Sequence, residues 1–257
     1  MLKKIIVGLL CAGTFLYADF LDDDMDGVSN EEDKCPNSAF SDIVGADGCK
    51  VDSVVFKKEH HFDISVGLSY SKSDDTQSDN AQNFSLGYYY GNFSSYLYTS
   101  NTNLQNGQSG VDDTTLSFYY KKADNEILYK AGAGFYLPTS DINNNQTDYF
   151  LSAKILYYLD DYDFSIELQH TFMKDIDTKD TNRLSLSGGY ILSDKAYTSL
   201  TYTTQDSIYA DEKRLQNATL YLNYFFDTHW FVSGEFSLGL SNSATNEYVG
   251  MRVGYYF

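Results

Sequence analysis

Phe62, Ile64, Val66, Leu68 and Tyr70 alternate with Asp63, Ser65, Gly67, Ser69 and Ser71. A period of two places successive side chains on opposite faces, so this segment predicts a strand with one apolar and one polar face. The same alternation returns at Phe84, Leu86, Tyr88 and Tyr90, at Tyr149, Leu151, Ala153, Ile155 and Tyr157, and at Phe164, Ile166, Leu168, His170 and Phe172. It continues through Leu184, Leu186, Gly188 and Tyr190, through Thr198, Leu200 and Tyr202, through Ala218, Leu220, Leu222 and Tyr224, and through Val232, Gly234, Phe236, Leu238 and Leu240. Weaker stretches at 93–101, 114–122 and 127–137 fit between them.

The connections alternate in length. Gly91-Asn92, Ala123-Asp124-Asn125, Leu159-Asp160-Asp161, Ser193-Asp194-Lys195 and Asp227-Thr228-His229 read as tight turns, whereas 72–82, 102–113, 138–147, 173–182, 204–213 and 241–246 read as longer polar loops. Short turns on one side, long loops on the other and aromatic residues crowding the strand ends are the pattern of a transmembrane antiparallel β-barrel. The expectation is an all-β fold of about twelve strands, with ten as the alternative, each near the ten residues that a tilted strand needs to cross a bilayer. A soluble β-sandwich also alternates, but no helical pattern interrupts about two hundred residues, and the turn lengths alternate too regularly for one.

Composition narrows the partners. The 257 residues carry 18 Lys+Arg against 36 Asp+Glu, a formal net charge of -18, which excludes a nucleic-acid surface. Mean hydropathy is -0.38, and no stretch beyond the first 18 residues is apolar enough to span a bilayer as a helix. Those first residues pair Lys3 and Lys4 with an apolar run that ends at Ala18 and meets Asp19, which reads as a secretory signal peptide at 1–18. Export leaves Cys35 and Cys49 in an oxidising compartment, and a disulfide closing the polar loop between them is the natural reading.

Residues 22–33 place oxygen ligands at loop positions one, three, five, seven, nine and twelve: Asp22, Asp24, Asp26, the Val28 carbonyl, Asn30 and Asp33, with Gly27 at the sharp turn. That arithmetic predicts a Ca2+ site, against the alternative of a solvated acidic linker. With the continuation Asp33-Lys34-Cys35-Pro36-Asn37 and Gly45-Ala46-Asp47-Gly48-Cys49, the segment resembles the thrombospondin type 3 repeat of outer-membrane proteins of the OmpA group. The resemblance covers 22–49 and implies a rigid calcium-stabilised spacer, here with a single repeat. The expected organisation is signal peptide 1–18, calcium-binding periplasmic segment and linker 19–56, and barrel 57–257. At the other end, Val249, Met251, Val253, Tyr255 and Phe257 alternate to a terminal phenylalanine. This resembles the last-strand signal that the outer-membrane assembly machinery recognises in bacterial barrels.

In such a barrel the apolar rows face lipid, and Asp63, Lys121, Lys130, Lys154, Glu167, Arg183, Glu235 and Arg252 face the lumen. They either border an aqueous path for small solutes, as charged rings do in pores, or pair across the interior and plug it, leaving a structural or adhesive surface protein. The Ala131–Thr139 stretch, with its glycines and Pro138, marks either a bend or the close approach of an inward loop, or else a plain strand end with proline where pairing stops. A serine-histidine enzyme is not expected: His60, His61 and His229 have no visible partner. The His-x-Ser arrangement that a resemblance to outer-membrane phospholipase requires is absent at His170-Thr171-Phe172. The expected location is a Gram-negative outer membrane, with lipid, lipopolysaccharide, the assembly machinery and small solutes as partners.

Overall fold

In the computed structural model, residues 34–35, 44, 47–49, 60–73, 78–104, 109–140, 146–174, 178–209, 213–241 and 244–257 are described. The chain divides into two compact units, Met1–Val54 and Val55–Phe257. Of the first, the described features are the Cys35–Cys49 disulfide and a salt bridge between Lys34 and Asp47 (3.8 Å). The signal-peptide reading at 1–18 and the calcium ligands Asp22, Asp24, Asp26, Val28, Asn30 and Asp33 lie outside the described residues.

The second unit is all β among its described residues: β1 (His60–Lys72), β2 (Ser78–Tyr90), β3 (Phe93–Leu104), β4 (Ser109–Val111), β5 (Thr114–Asp124), β6 (Ile127–Leu137), β7 (Asp148–Leu159), β8 (Tyr162–Phe172), β9 (Thr181–Ser193), β10 (Ala196–Gln205), β11 (Leu215–Phe225), β12 (Trp230–Gly239) and β13 (Glu247–Tyr256). Every pairing is antiparallel, and the sheet closes because β1 pairs with β13 from Asp63↔Tyr256 to Lys72↔Glu247. The three-residue β4 folds back on β3 alone, so twelve strands form the ring. Closure leaves no unpaired edge, which is what a sheet in contact with hydrocarbon requires.

One parity runs around the ring, with a register shift at Ala196/Tyr197 where β10 begins. Val66 stands opposite Phe84 and Val253, and Leu220 opposite Leu200 and Phe236, so the predicted apolar rows all share the outer face. Leu68 is 68% exposed, Met251 62% and Leu200 60%. Conversely, among the described residues the buried positions include twelve polar or charged side chains, Ser65, Ser117 and Ser233 among them, against two apolar ones, Phe150 and Ala244. The usual arrangement of a soluble core is inverted. Outward aromatic rings pack in pairs near the tight-turn end, as in Phe62–Tyr88 (5.0 Å), Tyr162–Tyr190 (4.8 Å) and Trp230–Tyr255 (4.9 Å). A second group, Tyr149 with Phe172 (4.7 Å), lies near the long-loop end. Between Phe62 and Tyr70 eight residues at about 3.3 Å each and a tilt near 40° span roughly 20 Å, close to the apolar band of a spanning barrel.

The turns follow local chemistry. Gly91, Asn125 and Asp160 take positive φ (57°, 51° and 49°), the left-handed geometry of tight hairpins that these residue types tolerate. In the 226–229 turn the Asp227 carboxylate accepts hydrogen bonds from the backbone N–H of Trp230 (2.6 Å) and His229 (2.8 Å). Those bonds, Trp230's first, hold Asp227 below the ordinary carboxylate range.

Two expectations about loops need correction. The 72–82 loop is shorter than its sequence implies, since β2 begins at Ser78, and 102–113 contains the end of β3 and all of β4. Ser78-Asp79-Asn80-Ala81-Gln82-Asn83 is polar on both faces and shows no apolar alternation, yet its backbone continues the ladder with β1 and β3 (Asp79↔Ser71, Asp79↔Leu104). Pairing partners, not hydrophobic pattern, extend these strands.

Candidate functional site: the charged interior of the barrel

Antiparallel register brings inward residues of neighbouring strands onto common rungs. Lys121 of β5 stands opposite Lys130 of β6, Lys130 opposite Lys154 of β7, and Lys154 opposite Glu167 of β8. Like charges directly opposed across a ladder oppose folding, so this rung costs stability and needs compensation. Part comes from aromatic faces: the Lys130 ammonium sits 3.9 Å from the Tyr119 ring centroid and 5.4 Å from that of Tyr96. At the acidic end, Glu167 accepts from Arg183 of β9 (3.4 Å), which also donates to the Gln169 amide oxygen (2.7 Å).

The remaining wall holds carboxylates. Asp63 of β1 accepts a hydrogen bond from the Tyr89 hydroxyl (2.6 Å), Glu235 of β12 pairs with Arg252 of β13 (3.5 Å), and Asp163 of β8 bonds the Tyr197 hydroxyl. The four side chains of the two ion pairs are 24–34% exposed. They are therefore neither in bulk solvent nor in a dry core, a setting in which paired charges keep much of their hydration and attract passing ions.

Small residues make room for this lining. A Cβ built at Gly132 falls 2.1 Å from the Tyr119 ring, and one at Gly134 falls 2.4 Å from the Phe150 ring. In the Ala131–Thr139 stretch pairing stops at Leu137, opposite Thr114, and Pro138 follows, so the plain strand end is the reading observed; within β6 the glycines admit inward aromatic rings from β5 and β7.

The eight charged residues singled out in the sequence lie, by ladder register, on the face opposite the exposed apolar rows, and two ion pairs join four of them. Lys121, Lys130 and Lys154 are joined by register instead. The last-strand residues Val249, Met251 and Val253 lie on the outward row of β13, with Tyr255 and Phe257 in edge contact (4.7 Å). His170 is outward too, its ring against Phe172 and its Nδ1 2.9 Å from Asn182. Asp163 and Gln169 were missed, although their alternation with Phe164 and Leu168 signals the inward face. Asp79 and Asn83 were missed because their segment reads as loop.

No protein-family model and no curated protein matches the chain. Solved structures do. An outer membrane channel from Pseudomonas putida F1 superposes with a TM-score of 0.63 at 14% identity, over 81% of this chain and 100% of that one. The NanC porin follows at 0.56 and 12% identity, over 76% of this chain and 98% of its own. The KdgM porin gives 0.52 at 14% identity over 76% and 98%, and has also been solved in complex with disordered oligogalacturonate. At these identities the likeness is one of fold: a closed antiparallel barrel of twelve strands.

Proposed function

We propose that the chain is an outer-membrane channel for small solutes, with its long loops extracellular and its N-terminal segment periplasmic. The observation that carries this reading is the inverted burial: an apolar, exposed outer wall surrounds an inner wall of hydroxyl, amide and charged side chains. Outward rows bounded by aromatic pairs suit lipid and the lipopolysaccharide surface, and a polar inner wall suits water. The fold shared with channels and porins supports the same reading.

In this reading the inner charges set selectivity. The Lys121, Lys130 and Lys154 rung lowers the cost of an anion that passes it, because an anion relieves the repulsion the rung carries when empty. Refolded mature protein in a planar bilayer is expected to give discrete conductance steps. Lys130→Gln with Lys154→Gln is expected to shift the reversal potential in a salt gradient toward cations. Oligogalacturonate, held by one of the compared porins, serves as one anionic probe of that current. A second reading, a plugged structural or adhesive barrel, draws no support from the Glu235–Arg252 and Glu167–Arg183 pairs, each of which joins neighbouring strands along the wall rather than crossing the interior. A correctly folded, electrically silent protein would establish it.

Ca2+ bound by residues 22–33 belongs to the same proposal and rests on the ligand spacing alone. Recognition of the Val249–Phe257 row by the outer-membrane assembly machinery rests on the terminal alternation.

A further inference from the structure

Away from the lysine rung, the inner wall formed by β1, β2, β3 and β13 holds a cavity of about 300 Å³ with no lysine or arginine among its described lining residues. Part of its donor capacity is already committed. The Tyr98 hydroxyl donates to the Asn83 amide oxygen (3.0 Å), the Asn83 amide donates to Ser69 (3.1 Å), and the Ser69 and Tyr248 hydroxyls share a further hydrogen bond. Ser100 and Thr102 both donate to the Asp112 carboxylate, Thr102 at 2.6 Å. The Tyr98, Ser100 and Thr102 hydroxyls each spend their one donor on a neighbour and keep only acceptor lone pairs for the cavity. The Asp79 Oδ1 atom, in the same wall, is shielded from solvent and has no hydrogen-bond partner among the described residues. A shielded carboxylate oxygen without a partner is costly, so this one can take a donor from a solute in the cavity.

We propose that this cavity is a subsite for an uncharged polyhydroxylated solute, such as one ring of a sugar or a cyclitol, whose hydroxyls donate to Asp79, Tyr98, Ser100 and Thr102. Spacing separates this class from an ammonium ion. The polar lining comes from four neighbouring strands, β13, β1, β2 and β3, roughly 14 Å across the ladder. Acceptors so dispersed match hydroxyls spread around a ring, whereas the three protons of an ammonium radiate from one atom. The volume stands at the lower edge of the ~300–1,000 Å³ of small-molecule sites, and the rings of Tyr98 and Tyr248 add the apolar surface that a sugar's C–H face covers.

The subsite rests on the channel reading only in that solute enters along the barrel interior. It is tested by binding, which needs no conduction. Saturation-transfer NMR on the full mature protein, folded in an amine-oxide detergent, is read with maltotriose, myo-inositol and propylammonium. Saturable binding of the two polyols is expected, weakened about tenfold or more by Asp79→Asn, which removes a charged acceptor, and weakened also by the isosteric Thr102→Val. The second variant carries the test if the first does not fold. Absence of a saturable polyol signal from the folded barrel overturns the proposal. So does polyol binding unchanged in both variants, and so does propylammonium binding in place of the polyols. A barrel that conducts without binding polyols refutes the subsite and leaves the channel. One that binds them and stays silent refutes the channel and leaves the subsite.

Discussion

Leu200→Arg tests whether the outer wall faces hydrocarbon. Leu200 is the fifth residue of β10, 60% exposed, outward, and flanked across the ladder by Gly188 and Leu220. It stands four residues from Ala196 and five from Gln205, so at about 3.3 Å per residue and a tilt near 40° it is roughly 10 Å and 13 Å from the two strand ends along the barrel axis. That is the middle of the apolar band. An arginine there costs about 2–4 kcal/mol in a bilayer, a loss of roughly 30- to 1,000-fold in the folded-to-unfolded ratio. Thr204 lies on the same face of the same strand, one residue from its end, where an arginine costs about 0–1 kcal/mol. Guanidinium titration of both variants folded into lipid vesicles, followed by the fluorescence of Trp230, the chain's single tryptophan, measures the difference. Leu200→Arg is expected to lose at least about 1 kcal/mol more than Thr204→Arg. If the two agree within about 0.5 kcal/mol, as surface substitutions on a soluble protein do, the outer wall is not in lipid and the membrane reading fails.

Gly132→Val pushes a branched side chain into the Tyr119 ring and is expected to destabilise the barrel by about 1–3 kcal/mol, read as a lower guanidinium midpoint; Ala131→Val, outward on the same strand, is expected to leave it unchanged. The Asp227 carboxylate, held below its ordinary range by the Trp230 and His229 N–H groups, contributes stability that is present above the unfolded carboxylate pKa and lost as pH falls through the lower folded value. Trp230 emission is therefore expected to stay constant from neutral pH down through the usual carboxylate range and to change only below it. In Asp227→Asn the acid-side change is expected to disappear. Calorimetric titration of the mature protein with millimolar calcium is expected to show one saturable site, abolished by Asp24→Ala with Asp26→Ala; absence of heat in the parent protein refutes the site.

The outward face was legible wherever the chain buries one face against something apolar. β1, β7, β8 and β13 announce themselves because Val66, Leu151, Ile166 and Met251 recur at every second position. The inward charges follow by parity: once Ile155 is outward, Lys154 is inward. Rungs are another matter. That Lys121, Lys130 and Lys154 stand opposite one another depends on three registers, and each register depends on turn length and backbone pairing rather than on side-chain type. The outer half of β2 was illegible for a different reason. Asp79 and Asn83 sit in a strand whose two faces both meet water, so no hydrophobic period marks it, and the subsite they help to line was hidden with it.

The seam between β1 and β13 bears on how such a chain reaches its native state. Eleven of the twelve seams in the ring join strands that follow one another in sequence, and each forms from a hairpin with little loss of chain freedom. The twelfth joins Asp63 to Tyr256, 193 positions apart. The nucleating contacts are local and fast, but the last one has a sequence separation near the length of the domain, the kind of contact that slows folding most. Until it forms, the intermediate is a curled sheet with two unpaired margins, β1 and β13. Removing Tyr255 to Phe257 would shorten a margin that has no spare rungs. Any factor that shepherds this chain has one seam to guard, and its own strand-like surface is the natural template to guard it with.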